Sequence, residues 1–280
     1  MSFDDLILHP IIRQLLANYL KQPTHALLLV GEKGVGLNTI ARVLAKEIAG
    51  ANVAIVEPRL HDKQKTPNIN IDDIRELAKF TRDRQSNALC IIVDEAEKMT
   101  RNAPEAFLKA LEEPVQRVFY ILTTHSTAKL PSTIKSRAQV IDVLPPPASL
   151  CGKLFENASL KLTSAKRTQI EFLADRKPAE IARLLSNEEY FRTVSSAMGT
   201  AKDFVQGTPA KRLEIIANTT ARESAIELTK NVAKMLILMI ERAKNAKMAT
   251  NSLNIVSEVI ENLVQNGNVR IQLTYLALNI

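Results

Sequence analysis

Over its first 147 positions the chain alternates short runs of Val, Ile and Leu with stretches in which apolar residues return every three or four positions. The short runs at 26–30, 53–56, 89–93, 118–123 and 140–143 are expected strands. They lack the in-out alternation of a half-solvated sheet, so they read as parallel strands buried on both faces. Between them, Pro10 opens a helical pattern with Ile11, Ile12, Leu15, Leu16, Tyr19 and Leu20, and a second follows Gly36 with Ile40, Val43, Leu44 and Ile48. A third, at 71–80, can be capped by Asn70, and a fourth begins near Thr100 and runs to Glu113, where Pro114 stops it. Strand alternating with helix predicts an α/β fold with crossover helices.

Pro145-Pro146-Pro147 can continue neither a helix nor a sheet ladder, so the first domain boundary is expected there, with independently folding pieces on either side. Everything after it reads as helical. A shorter block is followed by a longer one in which Leu213, Ile216, Ile226, Leu228, Val232, Met235 and Leu236 recur at helical spacing. The run 235–240 is apolar all round, which predicts burial on several sides, neighbouring chains included. Residues 265–268, Gln-Asn-Gly-Asn, form a turn before a last apolar segment.

Composition narrows the picture. At 280 residues the chain has room for two or three domains, and an aromatic content of 4% without Trp points to helix-rich packing by Leu, Ile and Ala. A net charge of +7 favours a polyanionic partner such as nucleic acid without establishing one. Two cysteines, Cys90 and Cys151, supply neither a disulfide framework nor a metal cage, and both are expected to be reduced. The start Met1-Ser2-Phe3-Asp4-Asp5 carries no basic or apolar leader, and no apolar run is long enough to span a bilayer, so a cytoplasmic location without membrane contact is expected.

The run 26–30 leads directly into Gly31-Glu32-Lys33-Gly34-Val35-Gly36-Leu37-Asn38-Thr39 and then a helix, the context that a phosphate cradle requires. The chemistry departs from it: Leu37 stands where a lysine would reach the β- and γ-phosphates, Asn38 where a hydroxyl would hold Mg²⁺, and Thr39 one place too late. The same run would also serve as a plain tight turn. Further on, the strand at 89–93 ends in Asp94-Glu95, placed as in a Walker B strand, where one carboxylate supports Mg²⁺ and its neighbour polarises the attacking water. Solvated acids at a strand end would look the same.

Taken together, the blocks Asp94-Glu95-Ala96-Glu97-Lys98-Met99-Thr100-Arg101-Asn102, Phe107-Leu108-Lys109-Ala110-Leu111-Glu112-Glu113-Pro114, Tyr120-Ile121-Leu122-Thr123-Thr124 and Lys129-Leu130-Pro131-Ser132-Thr133-Ile134-Lys135-Ser136-Arg137 closely resemble bacterial clamp-loader subunits of the AAA+ family, nearest to the delta-prime type of DNA polymerase III. Ile71-Asp72-Asp73-Ile74-Arg75-Glu76-Leu77 fits the same family, and the resemblance covers residues 25–147 in order and spacing. It implies an α/β AAA+ P-loop domain over 1–147, a helical lid over 148–190 and an all-α collar that mediates oligomerisation over 191–280.

The resemblance also implies roles. Gly31, Gly34, Gly36, Leu37, Asn38, Thr39 and Thr124 would form a degenerate nucleotide site, with Thr124 as sensor 1, beside Asp94 and Glu95 of the Walker B strand. Arg137, after Ser136, would be an arginine finger pointed at a neighbouring subunit's ATP, and Thr100, Arg101 and Asn102 would open a helix that faces DNA. Sensor 2 has only Arg176 and Lys177 as candidates. The family's four-cysteine zinc module has no counterpart between Ala49 and Asn70, so no zinc is expected; no cofactor is required, and ATP or ADP would bind weakly. The implied partners are motor and delta-type loader subunits, the sliding clamp and primed DNA. An active AAA+ motor and a AAA+-derived interaction protein outside replication compete with this reading. His9, His25, His61 and His125 show no ligand spacing and read as surface or cap residues.

Overall fold

The computed structural model describes residues 1–61, 66–80, 87–156, 162–242 and 246–280. They form two compact units, Met1–Leu185 and Ser186–Ile280.

In the first unit the described strands are β1 (Ala26–Val30), β2 (Val53–Val56), β3 (Leu89–Val93), β4 (Val118–Thr124) and β5 (Gln139–Asp142), all parallel, in the order β2-β3-β4-β1-β5. The helices are α1 (Pro10–Lys21), α2 (Leu37–Ala49), α3 (Ile71–Phe80), α4 (Ala103–Glu112), α5 (Ser132–Lys135), α6 (Ala148–Glu156), α7 (Ser164–Ala174) and α8 (Pro178–Ser186). Alternate residues of a strand face opposite sides of the sheet. Leu27, Leu29, Cys90, Ile92 and Ile121 therefore pack with Ile12 and Leu16 of α1 and Ile40 and Leu44 of α2. Leu28, Ile91, Val93, Tyr120 and Leu122 pack on the other side with Ile74 of α3 and Phe107 of α4. Phe107 meets Tyr120 edge to face at 5.3 Å.

Burial on both faces, expected for every strand, holds for β1, β3 and β4. The two edge strands depart from it. β2 is half-buried throughout, and β5 exposes Gln139, Val140 and Asp142, because each has a neighbour on one side only. Asn70 caps α3 as expected: its Oδ1 accepts the N–H groups of Asp72 and Asp73 at 2.9 Å, and Asp73 Oδ2 accepts the Asn70 N–H at 2.8 Å. The fourth helix starts later than its pattern suggests. Thr100 gives its N–H to Ile69 O at 2.8 Å and accepts that of Ala103 at 3.0 Å, so the helix begins at Ala103, with Pro104 in the first turn. The proline tract lies inside the first unit, with Pro146 buried and α6 to α8 grouped with the sheet.

The second unit is all-α: α9 (Glu188–Gln206), α10 (Pro209–Asn218), α11 (Arg222–Arg242), α12 (Ala246–Val264) and α13 (Val269–Asn279). Asn187, Thr208 and Asn268 cap α9, α10 and α13 through side-chain oxygens. Arg212 ties the ends together, donating from Nε to Phe204 O at 2.9 Å and from Nη1 to Ala277 O at 2.8 Å. Within this unit Met235 and Leu236 are buried, whereas Ile237 and Met239 are exposed, so the run 235–240 is not covered all round by its own chain. Among the described residues no helix is long and apolar enough to cross a membrane.

Candidate functional site

The loop between β1 and α2 has the backbone of a phosphate cradle. Gly34 and Gly36 take φ values of 90° and 99°, a conformation open to glycine at little cost, and Gly36 caps α2 without a side chain. Gly31 gives its N–H to Thr124 O at 3.1 Å, and a Cβ there would lie 3.0 Å from Val143 O, so the chain at this turn has no room for a side chain. Leu37 fills the position of the missing lysine with apolar bulk. It is 2% exposed, belongs to the core with Val35 and Ile40, and places Cδ2 3.2 Å from that same Gly31 Cβ position.

Asn38 makes a second substitution chemically consistent. Its Nδ2 donates to Asp94 Oδ2 at 2.7 Å, while Thr123 Oγ1 donates to Asp94 Oδ1 at 2.6 Å. Both oxygens of the carboxylate are thus taken by uncharged donors. Arg42 Nε orients the amide by donating to Asn38 Oδ1 at 2.6 Å, and pairs with Glu57. In this arrangement Asn38 turns an N–H, not an oxygen, toward Asp94, and its Oδ1 is taken by Arg42. Glu95, in a left-handed conformation at φ 48°, forms an ion pair with Lys98 and has His125 Nε2 at 3.9 Å.

Thr124, the expected sensor 1, is buried and closed into its own turn, donating to Ser126 O at 3.2 Å and accepting from Ser126 N at 3.1 Å. Its neighbour Thr123 is the hydroxyl that meets Asp94, which sequence reading missed. Register held the signal: Val93 pairs with Leu122, so the next residues of two parallel strands, Asp94 and Thr123, come side by side. His125, read as a surface or cap residue, instead bridges the site, its Nδ1 2.8 Å from Gly31 O and its N–H on Glu97 Oε1 at 3.1 Å.

The N-terminus of α8 closes the loop from outside. Ala179 and Glu180, in the first turn of the helix, donate their N–H groups to Gly34 O at 2.9 and 3.1 Å. Lys177 Nζ pairs with Glu32 Oε2 at 2.6 Å, so of the two sensor 2 candidates Lys177 is the one tied to the glycine loop. The adjoining cavity, lined by Leu6, Leu8, Gly36, Thr39 and Pro178, has a volume of about 140 Å³. Pockets for small ligands start at roughly 300 Å³.

Arg137 lies in the turn after α5. Its Nη2 pairs with Glu112 Oε1 at 2.8 Å, and Nη1 donates to Thr133 O at 3.0 Å and Ser136 Oγ at 3.3 Å. At the other end of α4, Arg101 and Asn102 are exposed, Asn102 caps without a side-chain bond, and Thr100 has already spent its N–H on Ile69. Fold and sequence together therefore gather Gly31, Gly34, Gly36, Leu37, Asn38, Asp94 and Glu95 at one end of the sheet, and anchor Arg137 on α4 and α5.

Among the described residues no group of three or more His, Cys, Asp or Glu side chains could hold a metal ion; positions 62–65 of the segment without a zinc module lie outside them. His61 contacts Asp73 Oδ2 at 3.1 Å and Asn70 Nδ2 at 3.0 Å, and His9 caps α1. Both cysteines are buried and free, and burial pushes the Cys90 thiol up to about 12. At pH 8 it is a shielded, protonated thiol. The native protein is therefore expected to leave Cys90 unmodified by iodoacetamide under conditions that alkylate it fully in 6 M-range denaturant, roughly, as read by peptide mass mapping; rapid native labelling would contradict its place between β2 and β4.

Known proteins resemble this chain in sequence and in fold. Residues 9–147 match the sequence model of the family described as DNA polymerase III, delta subunit. The chain is 30% identical over 136 residues to a DNA polymerase III subunit gamma from Buchnera aphidicola, covering 40% of this chain and 36% of that one. It is 27% identical over 135 residues to DNA polymerase III subunit delta' from Haemophilus influenzae, covering 41% of each. It thus spans little more than a third of the length of the gamma relative. A solved gamma subunit-related protein from Thermotoga maritima superposes with a TM-score of 0.60 at 18% identity, over 95% of this chain and 97% of the other.

Proposed function

We propose, for a chain that belongs with the AAA+ clamp-loader subunits of DNA polymerase III, that it is a subunit of delta-prime type, a stator that turns over no ATP of its own. In the cytoplasm it would join motor and delta-type subunits in loading the sliding clamp onto primed DNA. It would need no cofactor, and ATP or ADP would bind weakly if at all. The observation that carries this reading is the pair of substitutions at the head of α2. Leu37 is part of the core and Asn38 is hydrogen-bonded to Asp94, so the groups that would neutralise a triphosphate are replaced by groups that hold the fold. Arg137, by contrast, keeps its side chain 36% exposed, which leaves it able to meet a phosphate on another subunit. Thr100, Arg101 and Asn102 at the head of α4 supply the DNA-facing end, of which Arg101 and Asn102 are the exposed members.

The purified chain is expected to hydrolyse ATP no faster than a buffer control, measured by phosphate release at saturating nucleotide and Mg²⁺. Turnover at the level of a motor subunit, abolished by Glu95→Gln, would sink the stator reading in favour of an active ATPase. Retention of Asp94 and Glu95 favours that second reading, but both carboxylates are already engaged, by Asn38 and Thr123 and by Lys98.

A further inference from the structure

We infer that Glu112 is a positioning residue for Arg137: it holds the guanidinium within its own chain until the phosphates of a nucleotide on the adjoining subunit take it over. The inference rests on the reading of Arg137 as a finger that acts in trans. Glu112 is the last residue of α4, its place fixed by Pro114 two positions on, and its Oε1 is 2.8 Å from Arg137 Nη2. The other terminal nitrogen, Nη1, is held by Thr133 O and Ser136 Oγ. A guanidinium binds phosphate best through two parallel N–H bonds, and both nitrogens that would supply them at its tip are committed here. A two-bond grip on a phosphate, across Nη1 and Nη2 or across Nε and Nη2, draws on Nη2, so Glu112 competes with the phosphate for that nitrogen.

Two features set the strength of that hold. Glu112 stands in the last turn of α4, where the unsatisfied helix carbonyls add negative potential and favour a cation alongside. Its side chain is 51% exposed and that of Arg137 36%, so water and salt compete with the pair and keep it weak. A triphosphate carries more negative charge than one carboxylate and displaces it. An empty neighbour offers nothing in exchange, and the finger stays at home. Glu112 thus biases the finger against acting until nucleotide has bound next door.

The test uses the reconstituted loader with wild-type chain or with Glu112→Gln, Glu112→Asp, Arg137→Ala or the Glu112→Gln, Arg137→Ala pair, after equal incorporation is confirmed by size exclusion. ATP hydrolysis is measured without DNA at subsaturating nucleotide. Glu112→Gln is expected to raise kcat/KM by about two- to five-fold, the range of a half-exposed ion pair. Glu112→Asp brings the rate back toward wild type, and the gain shrinks as salt rises from about 0.05 to about 0.5 M, because screening removes the pair in the wild type too. In the Arg137→Ala background Glu112→Gln should add nothing. An unchanged or lowered rate with Glu112→Gln, or a gain that persists without Arg137, overturns the inference while leaving the finger intact. If Arg137→Ala itself changes no rate, it is the finger reading that fails.

Discussion

Loader assembled with Arg137→Ala protein is expected to hydrolyse ATP more slowly under DNA stimulation, with the loss confined to the one site that Arg137 completes on the proposed finger reading. An arginine supplied in trans contributes on the order of 10³–10⁵ in rate to phosphoryl transfer, so that single site should fall essentially silent. The total rate falls only in part, since sites served by other subunits keep their own arginines. Clamp loading should suffer more than basal turnover if it needs the sites to fire together. The substitution should not unfold the chain. Arg137 is partly exposed and its pairing with Glu112 is of the surface kind, worth about 1 kcal/mol or less. Circular dichroism and an unchanged denaturation midpoint would establish that before rates are compared. An unchanged ATPase together with unchanged loading would reduce Arg137 to a surface residue.

The second large effect is on stability. Leu37→Lys writes into the loop the residue that a phosphate-binding turn calls for, and it is expected to weaken the fold rather than create an ATPase. The Leu37 side chain is 2% exposed and packs with Val35 and Ile40 over Gly31. Truncating such a side chain costs about 2–5 kcal/mol, and a lysine must either bury an unpaired ammonium or pull the first turn of α2 away from β1. A loss of about 3–5 kcal/mol is a large share of the roughly 5–15 kcal/mol that holds a domain together. Urea denaturation of the purified variant reads it directly. A lysine variant as stable as the wild type and able to bind ATP would show that the loop had stayed an open cradle.

Particular residues show what a sequence can disclose here and what it cannot. The central strands were legible because contiguous apolar residues are tolerated only where both faces are covered, as in β1, β3 and β4. The edges were not, since the order β2-β3-β4-β1-β5 is a property of tertiary pairing, and nothing in the run 140–143 announces that Val140 faces solvent. The Asn70 cap follows from local spacing and was found. The contact of Asn38 with Asp94 joins residues from two motifs that the sequence had already placed at one end of the sheet, yet its hydrogen bond depends on side-chain reach that spacing does not encode. Thr123 was passed over for Thr124 by a single position, a choice that hangs on strand register. Glu112 could not be found at all without the packing of α4 beside α5, because its partner lies in another element. The candidate site was therefore readable as a list of residues, while the way each had been put to structural use was not.

The seating of the first amides of α8 on the Gly34 carbonyl bears on how this site can change over generations. A mutation that restored one phosphate-binding group would still face a loop whose carbonyl is held by a helix and whose lysine position is filled by core. Each single step back would lose folding stability before it gained any affinity, and selection acts on single steps. On the stator reading proposed above, loss of turnover would work as a ratchet: with the loop held by hydrogen bonds and packing, descendants could refine the scaffold far more readily than they could rebuild the engine.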